Sequence, residues 1–211
     1  IKKSEAELRG GGTDFYARHV GIELEGATLG LVGFGRIARR FGEIALGLGM
    51  VVVAYDPYLD DGGFSAETAR CGTLEELVAA SDVVSVHVPL TDETTRLFGS
   101  ELLAKMKPGS ILINTARGGL VDNAALIAAL DSGRLFGAGL DVTDPEPLPP
   151  DHPLLGRNDV VVTPHVAAGT AGAKRRIFER AFEQVLQVLD GRRPPNLIND
   201  EVWGALALEP R

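Results

Sequence analysis

The chain has 211 residues, enough for one domain with a substantial core or for one domain plus part of another. Apolar residues make up 45% of it and charge is spread along its length, which marks a globular rather than a disordered chain. The formal net charge of −8 argues against non-specific binding to nucleic acid or to an anionic membrane, since both need basic surface.

The opening reads as a helix already under way, with Ile1 where a Met is usual, so an N-terminal portion is expected upstream. Ile1–Gly10 is charged and lacks the apolar stretch of a secretory leader. Residues 28–32 (TLGLV) form a short apolar run ending in glycines, and a helical pattern follows over Ile37–Leu48. Residues 51–55 (VVVAY) are β-branched and apolar, which reads as a strand buried on both faces. Cys71 is the single cysteine and reads as a passive thiol, and an intrachain disulfide is impossible, which suits a reducing, cytoplasmic setting. A short helix is expected at Thr73–Ala80 with Thr73 as its N-cap, then a strand at Val83–Val88. Ser100–Met106 is helical and stops at Lys107-Pro108-Gly109. Ser110–Asn114 is a strand, Asn123–Ser132 a helix capped by Asp122, and Gly137–Asp141 a strand.

Thr143–Pro153 is dense in proline and acidic residues and reads as an ordered loop. Val160–Thr163 is a last short strand. Ala171–Leu189 is a long helix with an apolar stripe (Ile177, Phe178, Ala181, Val185, Val188) that ends at Gly191. No apolar run approaches the ~20 residues of a membrane span. The alternation of helices with wholly apolar strands predicts an α/β fold, a doubly wound parallel sheet covered on both faces.

Gly33-Phe34-Gly35-Arg36-Ile37-Ala38 lies between the first strand and the first helix and fits G-x-G-x-x-G/A. Gly33 allows the tight turn, Gly35 lets the backbone approach a pyrophosphate, and Ala38 is small enough for close helix–strand packing. The helix N-terminus offers free N–H groups and a positive dipole end to phosphates. Asp56 ends the second strand about 20 residues further on, where its carboxylate can accept hydrogen bonds from ribose hydroxyls. It would repel a 2′-phosphate, and Pro57 and Tyr58 offer no cation to hold one, so NAD is favoured over NADP.

Three further residues stand where chemistry is expected. Arg117, in Asn114-Thr115-Ala116-Arg117-Gly118-Gly119, follows a strand at the sheet edge where ligands bind, and a guanidinium there can grip a carboxylate bidentately. The two glycines behind it would let the backbone turn sharply. His165, in Thr163-Pro164-His165, again follows a strand, and a histidine is the natural acid/base for carbonyl–alcohol chemistry. Glu146 lies in the proline-rich loop, and beside an imidazole its carboxylate would fix the ring's orientation and offset the charge of the protonated ring. No metal cluster is visible in the sequence.

Together these segments resemble the D-isomer-specific 2-hydroxyacid dehydrogenases, which include phosphoglycerate, glyoxylate/hydroxypyruvate and D-lactate dehydrogenases. The matching runs are LGLVGFGRIA, YDPY, HVPLT, INTARGGLVD, GLDV, EPLP and TPHVAA, in family order over roughly residues 1–200. The resemblance implies an NAD-binding Rossmann domain over 1–170, with 1–20 as a leading helical arm. It further implies an interdomain helix over 171–191, and a tail over 192–211 that returns toward a substrate domain of which only remnants are present. It implies that Arg117 binds the substrate carboxylate, His165 is the general acid or base, and Glu146 pairs with it. Arg36 and Ile37 would touch the pyrophosphate, and Asp56 the adenosine ribose. Val88, Thr115, Ala116, His165 and Ala168 would line the cofactor cleft, and Asp141 would hold the nicotinamide carboxamide; His87 reads as structural. The implied activity is hydride transfer between NAD(H) and a small 2-hydroxy or 2-keto acid, in a homodimer. A non-catalytic NAD-sensing module of the same fold is the alternative, and a dehydrogenase for another small anion such as formate is a third.

Overall fold

The computed structural model describes residues 2–12 and 20–205. Seven short strands form one parallel sheet: β1 (Thr28–Val32), β2 (Val51–Tyr55), β3 (Thr68–Arg70), β4 (Val83–Val86), β5 (Ser110–Asn114), β6 (Leu135–Leu140) and β7 (Val160–Val162). Their order in space is β3-β2-β1-β4-β5-β6-β7. The chain therefore builds outward from β1 to one edge, returns to β4 and builds to the other. Between β1 and β4 this reversal opens a crevice beyond the carboxyl ends of the strands, which is where open α/β sheets take ligands.

Side-chain alternation along each strand builds a core on both faces. On β1, Leu29 and Leu31 pack with Ala38 and Ala45 of α2 (Arg36–Gly47), while Val32 joins the other cluster with Leu77 and Val78 of α3 (Leu74–Ala80). Leu102 and Leu103 of α4 (Ser100–Lys105) and Leu126 and Leu130 of α5 (Asn123–Asp131) complete that second cluster. Each fully buried Leu contributes about 1.5–3 kcal/mol relative to leaving it exposed. Thr73 caps α3 in a reciprocal box with Glu76, and Asp122 caps α5 by accepting from the Ala125 N–H at 3.0 Å, both as expected from sequence.

Several boundaries differ. β4 stops at Val86 rather than Val88, because from His87 the chain leaves the sheet to wall the crevice. β6 starts at Leu135, two residues early. β2 packs on both faces, Val52 and Ala54 in one cluster and Val53 and Tyr55 against the other, and only its first residue, Val51, is exposed, at 51%. The helical opening is present as α1 (Lys2–Arg9), whose Lys2 Nζ donates to the carbonyls of Arg157 and Val160. Residues 13–19 of the expected arm lie outside the described residues.

Two compact units divide the chain, Ile1–His165 and Val166–Arg211. The second consists mainly of α6 (Ala171–Leu189), capped by the Thr170 hydroxyl accepting from the Ala173 N–H, and a 3₁₀ turn at Asp200–Ala205. The expected stripe of α6 is present, and Ile177, Phe178 and Val185 are exposed. No described helix is long and apolar enough to cross a membrane.

Candidate active site

β1 ends at Val32, and Gly33 turns the chain with φ +86°. Its N–H donates to the Tyr55 carbonyl at 2.8 Å. A Cβ here would stand 2.9 Å from Val88 Cγ1 and 3.0 Å from the His87 carbonyl, so only glycine satisfies both the dihedral and the space. Gly35 then N-caps α2 without any side-chain cap, and nothing lies within 4 Å of where its Cβ would be. Arg36 and Ile37 are exposed at the first turn, where backbone N–H groups have no partner within the helix. This open, side-chain-free cradle at a positive helix end fits a pyrophosphate.

Asp56 lies just beyond β2. Its Oδ2 accepts from the Phe34 N–H at 2.9 Å and its Oδ1 from the Tyr58 N–H at 3.0 Å. The acid expected to meet a ribose therefore also ties the glycine turn to its own loop. On the opposite wall, the His87 N–H donates to the Val32 carbonyl, and His87 Nε2 pairs with Ser85 Oγ at 2.9 Å. Burial pushes the His87 pKa down to about 4, so the ring is neutral at pH 7. Val88, half-buried, packs beside Gly33.

The Arg117 loop hangs from the last residue of β5. Asn114 is fully buried; its Nδ2 donates to the Arg117 carbonyl at 2.8 Å and its Oδ1 accepts from the Ala116 N–H at 3.0 Å. Thr115 and Arg117 are left exposed and Ala116 half-buried, with Arg117 Nη1 donating to the Ala116 carbonyl. The glycines that follow open a 3₁₀ turn, Gly118–Leu120, so the chain turns sharply as expected, although neither has a positive φ. Gly118 is required by proximity instead: a Cβ would lie 2.0 Å from the Thr143 carbonyl carbon and oxygen.

That contact brings the start of the proline-rich loop beside the Arg117 loop. Glu146 sits in it between two cis prolyl bonds. Its Oε1 accepts from His165 Nδ1 at 2.7 Å, so the pair expected from sequence is formed. The side chains are 50% and 42% exposed, so both stay open to an incoming substrate. With Nδ1 engaged, Nε2 is the ring atom that can exchange a proton with a ligand. His165 is held at φ +54°, a left-handed conformation that costs roughly 1–3 kcal/mol for a non-glycine residue. Its N–H donates to the Asp141 carbonyl at 2.7 Å. The buried Asp141 carboxylate in turn accepts from the Thr163 hydroxyl at 2.5 Å, and the Asp141 N–H donates to the Asn114 carbonyl at 3.0 Å.

Asn114 and Asp141, at the ends of adjacent strands β5 and β6, thus hold the backbone of both reactive loops. In sequence Asp141 stands out only as a cofactor contact, and Asn114 and Thr163 carry no expected role. An asparagine ending an apolar strand two residues before a loop N–H was the available clue. Ala168 lies in the second unit, in the loop before α6.

Residues 1–167 match the model of the D-isomer specific 2-hydroxyacid dehydrogenase NAD binding domain. The chain is 43% identical over 183 residues to a glyoxylate reductase of Korarchaeum cryptofilum, covering 87% of this chain and 55% of that protein. It is 46% identical over 175 residues to an (S)-sulfolactate dehydrogenase of Chromohalobacter salexigens, covering 82% and 56%. The crystal structure of D-lactate dehydrogenase with NAD+ from Lactobacillus jensenii superposes with a TM-score of 0.85 at 29% identity, covering 94% of this chain and 63% of that one. The chain spans about half the length of the curated relatives it matches.

Proposed function

This chain belongs to the D-isomer specific 2-hydroxyacid dehydrogenases, matching their NAD binding domain, and from that premise we propose that the protein interconverts a small 2-keto acid and its 2-hydroxy acid with NAD(H). The observation that carries this reading is the His165 Nδ1–Glu146 Oε1 pair at 2.7 Å, beyond the sheet edge that also bears Arg117. Gly33, Gly35, Arg36 and Ile37 would hold the pyrophosphate and Asp56 the adenosine ribose. Val88, Thr115 and Ala116 would line the cleft, and Asp141 would receive the nicotinamide carboxamide. The bound cofactor supplies or accepts the hydride at the substrate's 2-carbon.

Glu146 holds the imidazole in one orientation and keeps the proton on Nδ1. His165 Nε2 then gives a proton to the carbonyl oxygen in reduction and takes it back in oxidation. Arg117 binds the substrate carboxylate, which fixes the reacting carbon relative to His165. Residues 1–170 form the dinucleotide domain in this reading. Residues 171–191 form an interdomain helix, and 192–211 return toward the substrate domain. The protein works as a homodimer in the cytoplasm.

The test is NADH oxidation by the full-length protein with glyoxylate, hydroxypyruvate and pyruvate. Turnover of one or more is expected, and His165→Ala should lower kcat by about 10²–10⁴ with NADH affinity retained. An unchanged rate in that variant would remove the assigned mechanism. Tight NADH binding without turnover on any keto acid would favour a non-catalytic NAD-sensing module instead.

A further inference from the structure

Phe34, the residue between the two motif glycines, is one that the motif leaves unspecified. It is 1% exposed, and both of its backbone groups are taken: Asp56 Oδ2 accepts from its N–H at 2.9 Å, and its carbonyl accepts from Arg39 Nε at 3.0 Å. The Arg39 guanidinium lies 4.8 Å from the Phe34 ring centroid. The ring itself stacks on Phe64, with centroids 5.2 Å apart and planes 10° from parallel.

Phe64 follows the 3₁₀ turn Asp61–Gly63 in the loop after β2, and no motif points to it. The Arg70 guanidinium, on β3, lies 5.7 Å from its ring centroid and pairs with Asp61 in the same loop. The loop that carries Asp56 is therefore pinned to the glycine turn twice, by the Asp56 carboxylate at its start and by the Phe34–Phe64 stack at its far end. The Arg39 and Arg70 guanidiniums thus flank the stack, one over each ring. Parallel rings with flanking cations attract one another beyond their buried area.

We propose that Phe64 is a positioning residue for the dinucleotide: stacked on Phe34, it holds the Asp56 carboxylate in register with the glycine turn, and so sets both affinity for NAD(H) and rejection of a 2′-phosphate. This rests on the reading that the glycine turn binds NAD. Removing the ring frees the far end of the loop, which leaves the Asp56–Phe34 bond as the carboxylate's tie to the glycine turn and the Tyr58 bond tying it only to the loosened loop. The carboxylate then accepts less well from the ribose hydroxyls and repels a 2′-phosphate less.

The experiment is fluorescence titration of the full-length protein with NADH and with NADPH, with melting temperature recorded for each variant. Phe64→Ala and Phe64→Leu are expected to raise the NADH Kd about tenfold. The NADPH Kd should change less, compressing the ratio between the two coenzymes. Phe64→Tyr, which keeps the ring, should restore both the affinity and the ratio. Arg70→Met leaves both rings in place and tests the clamp without opening a cavity; a smaller rise, about threefold, is expected. Wild-type values in Phe64→Leu would overturn the proposal, because leucine fills the space without stacking. Wild-type values in Arg70→Met, should the Phe64 variants not fold, would overturn it as well. If the unmodified protein binds neither coenzyme, the NAD reading itself fails, which is a separable result.

Discussion

Gly33 and His165 both turn the chain at positive φ, +86° and +54°, yet the two regions around them are fixed by different physics. The glycine turn is fixed by exclusion. Val88 and the His87 carbonyl occupy the space where a side chain at residue 33 would go. The loops that carry Arg117 and His165, after β5 and β7, are fixed by hydrogen bonds to two buried polar residues at the ends of β5 and β6. Asn114 ties Ala116 and Arg117, and Asp141 ties Thr163 and His165. The first region tolerates few residue types and so announces itself in sequence. The second uses ordinary polar residues whose meaning depends on partners that only the folded loops supply.

The two regions meet different fates when perturbed, and the sharpest break is expected where exclusion intrudes on the reactive side. Gly118→Ala places a methyl 2.0 Å from the Thr143 backbone, with no flexible side-chain end to yield. A loss of about 3 kcal/mol or more in urea unfolding is expected, with loss of keto-acid turnover. A variant as stable as the wild type would show that the two loops are not pressed together.

Next comes the pH response of the cofactor wall. Burial lowers the His87 pKa from 6.5 to about 4 in the folded protein, so between these values the unfolded chain binds more protons. The stabilisation is full above pH 6.5 and is lost as pH falls to about 4, amounting to about 3 kcal/mol. His87→Gln should flatten this part of a stability–pH curve. Asp159, held below the usual carboxylate range first by hydrogen bonds from Arg157, adds a loss at lower pH that the variant retains.

Asn114→Ala strips the partner from the Ala116 N–H and the Arg117 carbonyl, costing about 2 kcal/mol. Because Arg117 loses its register, kcat/KM for the keto acid should fall about tenfold or more, while NADH affinity holds. Equal losses in both would erase the distinction between the regions. Thr163→Val is the mildest test. It removes one hydroxyl donor from Asp141, and a cost of about 1 kcal/mol with a small fall in kcat is expected from unfolding and rate measurements.

The sheet was legible because its strands are apolar runs and its helices carry caps such as Thr73 and Asp122. β3 was not, since Thr68–Arg70 has three residues and no apolar run, and it pairs only because β2 offers an edge. The ends of β4 and β6 shifted because strand length depends on the neighbour's register rather than on composition. Within the site, Gly33, Asp56, Arg117, Glu146 and His165 were readable from residue type and position. Asn114 and Thr163 were not, since each acts through a backbone group or carboxylate that folding brings to it. The Phe34–Phe64 stack joins residues on separate segments, so nothing local in the sequence predicts it.

The central claim is that His165 supplies the proton that accompanies hydride transfer to a 2-keto acid. The most direct test gives the full-length protein glyoxylate and NADH deuterated at both C4 positions of the nicotinamide, and measures deuterium at the 2-carbon of the product. The account predicts deuterium there in the wild type, and a collapse in yield in His165→Ala with NADH still bound. Product without deuterium, or an undiminished yield in His165→Ala, would contradict it.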